Sequence, residues 1–560
     1  MRPLRLLPVV LIAGTVIASF LLLPPLPHVL PTEGMQAPVR GAIHVHTRRS
    51  DGTGTVDQIA AAAARAGLAF VILTDHGDGT REPERPSYQH GVLCIDAVEI
   101  STDDGHVVAL DLPRSPYPLG GEARDVVEDI ARMGAMSIAA HPTSAKPALR
   151  WRDWTLPVDG VEWLNSDSEW RDERFRSLGR AVLTYPVRRA ATLAALLDRP
   201  EDALAGWDRI STTRPVVGVA GSDAHARLGL RGEGDPFEPR IALHIPSYEQ
   251  VFRTFSISVT GVSLAHDAAV DAKAIIDAIR HGHLFSSIDG LAAPAIVSFT
   301  ADTGKARAQM GDTLPEGSQT EFHVATNAPR NARIYLIRNG AQTAVESAPR
   351  LEFATTDSGA YRVEIHLADA PGSPPIPWIV TNPIYVRTET RPAVEQGSAT
   401  TFTPRYQDQS AAEGWSVEKN AQSQGAIDVV NTLTGKQLKF RFALGGSDDD
   451  SPFVGLAMPA GPIVGSDRLV FTAMASRPMR LSVQLRAPAT PDDERWRRSV
   501  FVDETPRTFA IRFDEMRPSG SSRPHPDMGR VRDVLFVIDR TNARPGSNGQ
   551  IWIDDVKYGR

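Results

Sequence analysis

The chain has 560 residues, of which 42% are hydrophobic and 23% charged, and its formal net charge is −7 at pH 7. This composition excludes a wholly disordered chain, and the sequence has no basic block that would indicate a nucleic-acid-binding surface. The single cysteine, Cys94, excludes a disulfide framework and a metal site built from thiolates. At about 150 residues per domain, the length predicts three or four domains.

The chain begins with an uncharged, mostly apolar segment, residues 6–23, which follows Arg2 and Arg5. Its length is close to the roughly 20 residues that span a bilayer, and a cleaved secretory signal has the same layout. Prolines crowd residues 24–31, where a cleavage site should lie, so an uncleaved anchor is favoured over a cleaved signal or a buried helix. Residues 1–40 are therefore predicted to be an anchor and a Pro-rich spacer. The arginines place the remainder of the chain outside the cytoplasm, at the periplasm or cell surface.

Residues 41–289 alternate short apolar stretches with amphipathic ones, which is the pattern of an α/β domain. Strands are predicted at 43–46, 70–74, 107–110, 137–140, 160–164 and 216–220. Helices are predicted at 55–66 and 122–133, each followed by a glycine, and within 168–210. The simplest arrangement of these elements is a barrel of parallel strands.

The two remaining segments are predicted to be all β. Residues 290–390 have the turn residues and the length of an immunoglobulin-like β-sandwich, and residues 391–560 have the strand spacing of a jelly-roll. Strand-like stretches are 319–325, 332–338 and 359–367, followed by 438–444, 468–474, 481–485, 507–513, 534–539 and 550–558.

Histidine and acidic residues recur where the strands of residues 41–289 end. These residues are His44, His46, Asp51, His76, Glu99, His106, His141, Asp223 and His225. In a parallel barrel the strand ends meet at one mouth, where active sites are built. A lone loop histidine is usually a surface or hydrogen-bonding residue, but this recurrence at successive strand ends indicates a metal centre. Because His44 and His46 are two apart on a strand, their rings are expected on the same side of the sheet.

The types of donor predict the kind of metal. Imidazole and carboxylate groups without sulfur suit Zn²⁺, Mn²⁺ or Fe²⁺ rather than a structural zinc knot or a calcium cage. The donors outnumber the roughly four to six positions of a single ion, so two or three ions that share a carboxylate are expected. Closely spaced ions lower the pKa of a shared water and neutralise the charge that develops on a phosphoryl or acyl oxygen.

The same residues lie in five short motifs. In chain order these are HVHTRRSDG (44–52), TDH (74–76), a glutamate ahead of GH (99 and 105–106), AHP (140–142) and GSDAH (221–225). On these motifs, residues 41 to about 230 resemble the polymerase and histidinol phosphatase (PHP) superfamily of metal-dependent hydrolases. The resemblance implies a distorted barrel of seven βα units.

The resemblance also implies how the ions are shared among these side chains. His44, His46, Glu99 and Asp223 would hold the first ion, Asp51, His76 and His225 the second, and Glu99 with His106 and His141 a third. In other subgroups of the family the position of Asp51 is a histidine. Glu99, Asp223 and Asp75 are expected at the reacting centre, with Asp75 orienting the ligands rather than binding metal.

The substrate-binding residues are less sharply defined by the sequence. Arg48, Arg49, Lys146 and Arg227 are candidates for holding a substrate anion, although each alone is a common surface charge. Trp151, Trp154, Trp163 and Trp170 cluster near the AHP motif and favour an aromatic substrate instead. Glu162 resembles a family strand end and is expected either to support a metal ligand or simply to support the barrel.

Three functions remain open from the sequence. The first is a phosphoesterase acting outside the cytoplasm on a small or glycan-linked ester, in which a metal-held hydroxide attacks phosphorus. The second is a carbamate or carboxylic ester hydrolase, because residues 365–386 resemble exported hydrolases grouped with carbaryl hydrolases. The third is a non-catalytic sugar-binding surface protein, because the C-terminal segment resembles carbohydrate-binding jelly-rolls, with Trp415, Trp496 and Trp552 as candidates for stacking on sugar rings. The frequency of phosphoesterases in the superfamily favours the first.

Overall fold

The computed structural model describes residues 22–32, 34–171, 175–230, 241–243, 245–388, 402–406, 414–432, 435–448, 451–461, 463–490 and 492–560. The chain divides into two compact units, the first formed by Met1–Asp78, Glu82–Pro113 and Glu122–Thr390, and the second by Gly79–Arg81, Arg114–Gly121 and Arg391–Arg560. Apart from its last two residues, the predicted anchor at 6–23 lies outside the described residues. No helix within the described ranges is long and apolar enough to span a membrane.

Up to residue 289, the first unit mixes strands and helices. The strands are β1 (His28–Val29), β2 (Val39–Val45), β3 (Phe70–Leu73), β4 (Ser87–Gln89), β5 (Val92–Asp96), β6 (Val98–Thr102), β7 (Gly105–Leu110), β8 (Met136–Ala139), β9 (Gly160–Asn165), β10 (Val217–Ala224), β11 (Leu228–Leu230), β12 (Ile241–Leu243), β13 (Ser256–Val259) and β14 (Leu284–Ser287). The helices are α1 (Val56–Ala66), α2 (Ala123–Arg132), α3 (Ser166–Arg171), α4 (Phe175–Thr184), α5 (Arg189–Ala194), α6 (Glu201–Ser211), α7 (Tyr248–Thr254) and α8 (Ala268–Arg280).

The pairings of these strands close a sheet on itself. β2 lies parallel between β3 and β10, β3 is parallel to β5, and β8, β9 and β10 pair in parallel. The prediction of parallel strands throughout is wrong for β7, which is antiparallel to both β6 and β8. Only two residues connect β6 to β7, with Gly105 at φ +116°, and so short a connection can only reverse the chain direction.

Capping residues set the ends of the first predicted helix. Thr55 caps α1 by accepting a hydrogen bond from Gln58, and Gly67 ends the helix in the left-handed conformation, with φ 75°. In the part that the structure describes, the helical region predicted within 168–210 consists of α3 and α4, which lie on either side of residues 172–174, and of the separate helices α5 and α6. Residues 140–159, all of which are described, connect β8 to β9 without a helix, so the alternation of strand and helix is incomplete.

The rest of the first unit is all β. Its strands are β15 (Ala292–Ala293), β16 (Val297–Asp302), β17 (Arg307–Gln309), β18 (Thr313–Leu314), β19 (Thr320–Thr326), β20 (Arg333–Arg338), β21 (Ala341–Ser347), β22 (Arg350–Thr355), β23 (Gly359–His366), β24 (Ile379–Thr381) and β25 (Ile384–Val386). β17, β16, β19 and β22 form one antiparallel sheet, and Phe322 of β19 packs on Tyr361 of β23 with ring centroids 4.3 Å apart.

The boundary predicted between residues 289 and 290 does not separate two compact units. β14 pairs with β24, and β13 pairs with both β14 and β2, so hydrogen bonding runs from the closed sheet into β23 and β20. The short strands of residues 290–390 would leave an open sheet edge, and β14 covers it.

The second unit has two antiparallel sheets, in agreement with the all-β prediction. Its strands are β26 (Phe402–Tyr406), β27 (Ser416–Lys419), β28 (Gln424–Thr432), β29 (Gly435–Ala443), β30 (Phe453–Pro459), β31 (Arg468–Ala475), β32 (Met479–Ala487), β33 (Glu494–Val502), β34 (Arg507–Arg512), β35 (Arg517–Pro518), β36 (Asp533–Asp539) and β37 (Asn548–Gly559), with a 3₁₀ turn at Phe513–Glu515. β37 is central in one sheet and β36 in the other, and Phe471 of β31 packs edge-on against Phe536 of β36, with ring centroids 5.1 Å apart.

Asn382 joins the β-rich part of the first unit to the closed sheet. Its side chain accepts from Gly218 N (2.8 Å) and donates to Gly218 O (2.9 Å) and Leu284 O (3.0 Å), and the residue is buried. Replacing Asn382 with alanine leaves buried backbone groups without these partners, so we expect the free energy of unfolding to fall by about 2–3 kcal/mol. Equilibrium urea unfolding of the full chain measures this change.

The matched control is Asn331→Ala, because Asn331 is exposed and its removal should change stability by less than about 0.5 kcal/mol. Equal unfolding midpoints for the two variants would contradict the role assigned to Asn382.

Candidate metal centre

The structure brings the nine predicted ligands together at one end of the closed sheet. His44 is on β2, Glu99 on β6, His106 on β7 and Asp223 on β10, while His46, His76, His141 and His225 follow β2, β3, β8 and β10, and Asp51 lies in the loop after β2. Four of these strands, β2, β3, β8 and β10, run in the same direction, so their carboxyl ends meet.

Glu99 is the residue that the other side chains surround. Its Oε2 lies 3.3 Å from His44 Nε2, 3.2 Å from His46 Nε2 and 3.1 Å from His76 Nδ1. Its other oxygen, Oε1, lies 2.7 Å from His106 Nδ1 and 2.8 Å from His141 Nε2. The two oxygens of a single buried carboxylate therefore face two different groups of imidazoles, as a bridging ligand would.

Asp223 and Asp51 face the remaining imidazoles. Asp223 Oδ1 lies 3.4 Å from His44 Nε2 and 3.3 Å from His46 Nε2. Asp51 Oδ1 lies 3.2 Å from His225 Nε2, 3.5 Å from His46 Nδ1 and 3.7 Å from His76 Nε2. The described residues thus contain overlapping groups with ligand atoms close enough to hold a cation: His46–Asp51–His76–His225, His44–Glu99–His141, His44–His46–Asp223 and His76–Glu99–His106.

The backbone departs from regular strand geometry at three of these ligands. His44, Asp223 and His141 have φ values of 66°, 43° and 31°, in the left-handed region that non-glycine residues rarely adopt. At His44 the pairing of β2 with β3 shifts register between Ala42 and Val45. His44 and His46 therefore converge, with ring centroids 5.2 Å apart, through a bulge rather than by the simple alternation expected from their spacing.

Glu162, on β9, supports the ligands from behind. Its Oε1 lies 2.6 Å from His44 Nδ1, and its Oε2 accepts from His141 N (2.7 Å) and from Asn165 Nδ2 (2.8 Å). A Cβ at Gly221 would lie 1.9 Å from Glu162 Oε1, so only glycine fits the GSDAH motif at this place. The sequence left open whether Glu162 supports a metal ligand or only the barrel, and these contacts support the first role. Asn165 was missed, because a lone asparagine at a strand end carries no sequence signal.

The residues present fit a bound divalent cation. His44 Nε2, His46 Nε2, Asp51 Oδ1 and Glu99 Oε2 are buried and make no hydrogen bond within the described part of the chain. Buried polar atoms are almost always hydrogen-bonded, so the convergence of three of these atoms, His44 Nε2, His46 Nε2 and Glu99 Oε2, indicates a shared ligand. Imidazole nitrogen and carboxylate oxygen are donors suited to Zn²⁺, Mn²⁺ or Fe²⁺.

The carboxylates and several imidazoles of the site stabilise each other's charged forms, as their pKa shifts show. Burial alone would lower the pKa of His46, but the adjacent carboxylates of Asp223 and Glu99 outweigh burial and raise the pKa to about 9. The pKa of His44 and that of His141 are raised against burial by the neighbouring carboxylates. Burial would raise the pKa of Glu99, yet the surrounding imidazoles hold it well below its usual value. These carboxylates therefore attract positive charge, whether protons or metal ions.

Asp75, which was expected to orient the ligands rather than bind metal, contacts the loop that carries Asp51. It accepts from Thr47 N (2.7 Å), Thr47 Oγ1 (2.8 Å) and Ser50 Oγ (2.7 Å), so it fixes the turn that leads to Asp51. Arg49 donates to Asp75 Oδ2 (2.9 Å) and also pairs with two further carboxylates, those of Glu84 and Asp96. Both residues have a positioning role in this geometry.

Two of the predicted substrate-binding cations, Arg48 and Lys146, lie at the surface. Arg48 is exposed and donates from Nε to Thr53 O at 2.6 Å. Lys146 is exposed in the loop after β8, and Arg227 is half-buried two residues after His225.

Two of the four tryptophans near the AHP motif are enclosed in the core rather than lining the candidate site. Trp151 and Trp163 are buried, and Trp163 Nε1 donates to Ser286 Oγ at 3.2 Å inside the core. In the second unit, Trp415 and Trp496 are also buried, while Trp552 is half-buried with Lys439 Nζ 5.4 Å from its ring centroid. Trp415 and Trp496 therefore belong to the core rather than to a sugar-stacking surface.

No family model and no curated protein match this chain. Similar solved structures include the family 11 carbohydrate-binding module of the cellulosomal cellulase Lic26A-Cel5E of Clostridium thermocellum, 14% identical over 29% of this chain and 95% of that one, with a TM-score of 0.24. A mannan-recognising carbohydrate-binding module, TmCBM27, is 13% identical over 29% of this chain and 99% of its own, with a TM-score of 0.21. Likenesses this weak carry no argument about the function of this chain.

Removal of the Glu162 carboxylate tests whether it orients the ligands. In Glu162→Ala, His44 and His141 lose their supporting acceptor, and we expect affinity for Zn²⁺ or Mn²⁺ to fall about 10- to 100-fold. Isothermal titration of the metal-free chain measures this, with Glu201→Ala as control because the side chain of Glu201 is 65% exposed. Unchanged affinity in Glu162→Ala would contradict the assignment.

Metal binding should depend on pH with a defined sign. The pKa of His46, which Asp223 and Glu99 raise to about 9, keeps this residue protonated near neutral pH, and the pKa values of His44 and His141 are raised as well, so a metal that binds these imidazoles displaces protons. We expect the association constant to rise between pH 6 and pH 9, by about tenfold per pH unit for each proton displaced. Titrations in buffers of different ionisation enthalpy count the released protons, and binding without proton release would contradict this reading of the site.

Proposed function

We propose that this chain is a metal-dependent hydrolase of the PHP type that cleaves phosphoesters. The observation that carries the proposal is the convergence of buried, unpartnered ligand atoms around Glu99, whose two oxygens face separate imidazole groups. Overlapping groups that share Glu99, His44, His46 and His76 imply adjacent ions rather than a single structural one. In the same proposal, the closed sheet is the distorted (βα)7 barrel, the second unit a jelly-roll and the site extracytoplasmic.

The chain's own residues define the direction from which a substrate approaches. The side chains of His44 and His46 are 0% exposed, whereas those of His76 and Asp51 are 36% and 44% exposed. A substrate therefore approaches from the side of His76 and Asp51. Divalent ions held there would lower the pKa of a water molecule and neutralise charge on the phosphoryl oxygens. Glu162, Asp75 and Arg49 keep the ligands in place while water adds to phosphorus and the bond to the leaving oxygen breaks.

The choice of phosphoester over carbamate rests on the superfamily resemblance. The tryptophan argument for an aromatic substrate is weakened, because Trp151 and Trp163 are enclosed in the core. Arg49 was a candidate for holding a substrate anion, but its guanidinium is already paired with three carboxylates, which weakens the case for a phosphate-binding role. The comparison of substrates below decides between the two classes.

Substrate class and metal dependence can be tested on the full chain, loaded separately with Mn²⁺, Zn²⁺ and Fe²⁺. We expect faster hydrolysis of nitrophenyl phosphate mono- and diesters than of naphthyl methylcarbamate or naphthyl acetate, with loss of activity on addition of a chelator. His44→Ala should reduce turnover by more than about 100-fold together with bound metal, since it removes a ligand. Trp552→Ala, a substitution in the second unit, should retain wild-type turnover and bound metal.

Faster carbamate or acetate cleavage would replace the phosphoester by the carbamate and ester class. A metal-loaded chain that hydrolyses neither class, or full activity in His44→Ala, would overturn the proposal and favour a binding protein.

A further inference from the structure

Tyr248 is the first residue of α7 and lies directly behind the ligands, although no sequence motif pointed to it. Its ring is 6% exposed and packs in the same core cluster as Ile59 and Ala63 of α1. Its hydroxyl reaches out of this apolar cluster towards the backbone of the metal centre. A buried tyrosine hydroxyl normally finds a specific partner, so its contacts indicate what the side chain does.

The hydroxyl joins three backbone segments that carry ligands. Tyr248 Oη donates its proton towards His46 O at 2.8 Å and His225 O at 3.2 Å. The same oxygen accepts from Thr53 N and Gly54 N, both at 3.1 Å, which belong to the loop containing Asp51. A tyrosine hydroxyl has one proton and two acceptor positions, so these contacts use its full capacity.

The loop is shaped to reach this hydroxyl. A Cβ at Gly52 would lie 2.2 Å from His46 O and 2.8 Å from Tyr248 Oη, and a Cβ at Gly54 would lie 2.7 Å from Tyr248 Cε2. The glycines of the Asp-Gly-Thr-Gly sequence therefore permit the loop to pack against the ring. At its other end the loop is held by Asp75 through Thr47 and Ser50.

From these contacts we infer that Tyr248 is a positioning residue for one metal group, the set His46, Asp51, His76 and His225, which we call the outer group. Three of its four ligands, His46, Asp51 and His225, lie on backbone that the Tyr248 hydroxyl ties together. The third set implied by the resemblance, Glu99, His106 and His141, which we call the inner group, comes from β6, β7 and the end of β8. Glu99 Oε1 holds this set together through His106 Nδ1 and His141 Nε2, and the hydrogen bonds given above for the Tyr248 hydroxyl go to other residues. The inference rests on the proposed metal chemistry and deepens it, because it assigns control of one ion to a single hydroxyl.

The test is Tyr248→Phe in the full chain, which removes only the hydroxyl and keeps the ring in the core. We expect the variant to bind one ion fewer than the wild type, or to bind that ion about 10- to 100-fold more weakly, while the inner group keeps its metal. Metal content after desalting, isothermal titration with Zn²⁺ and the electron paramagnetic resonance spectrum with Mn²⁺ measure this. Asp51→Ala, which removes a ligand of the outer group, should give the same pattern.

The matched control is Tyr361→Phe, because Tyr361 is also buried and its hydroxyl donates to Asp357 O at 2.8 Å, in the β-rich part of the first unit. This variant should bind metal like the wild type. Retention of the inner ion in Tyr248→Phe distinguishes a local effect from failure to fold, which would remove every bound ion.

The outcomes separate this inference from the proposed function. Equal stoichiometry and affinity in Tyr248→Phe and wild type would overturn the role of Tyr248 while leaving the hydrolase proposal intact. Loss of the outer ion in Tyr248→Phe, in a chain whose wild type hydrolyses no ester, would support the role of Tyr248 and overturn the hydrolase proposal. A wild-type chain that binds no divalent ion would overturn both, and loss of both ions in Tyr248→Phe would overturn the selectivity for the outer group.

Discussion

The carboxylate of Glu99, 1% exposed, is surrounded by five imidazole nitrogens at 2.7–3.3 Å. An isolated buried carboxylate is very costly in free energy, so its place in the core depends on these partners. They come from β2, β7 and the ends of β2, β3 and β8, and the sheet must close on itself for segments so distant in sequence to meet. Burial of Glu99 therefore depends on closure of the sheet, because only the closed sheet brings its five imidazole partners together.

Support for this arrangement comes from residues that do not face the centre. Glu162 holds His44 and the backbone of His141, Asp75 holds the turn before Asp51, and Tyr248 holds the loop after it. Left-handed backbone at His44 and Asp223 costs free energy, which such surrounding contacts offset. The site is thus a set of strained ligands that rigid neighbours fix, which is what metal chemistry with closely spaced ions requires.

The β-rich part of the first unit extends the same hydrogen-bonded network. β14 connects β13 to β24, and the buried side chain of Asn382 binds the backbone of β10 and β14. A sequence boundary drawn at a change of periodicity placed β14 in one domain and its partner β24 in another. Periodicity reports the local conformation of a strand, whereas the partner of a strand is chosen by long-range pairing.

The sequence by itself determined which histidine and acidic side chains come together, most strand positions and the ends of α1 and α2, because a strand end marked by His or Asp and a helix ended by glycine are local patterns. It could not determine that β7 runs antiparallel, that His44 bulges, or that Trp151 and Trp163 are buried. Nor could it find Tyr248, which lies 202 residues from His46 along the chain and acts through a backbone carbonyl. A contact between a backbone group and a side chain far along the chain produces no motif or periodicity in the sequence, so only the tertiary structure decided these contacts.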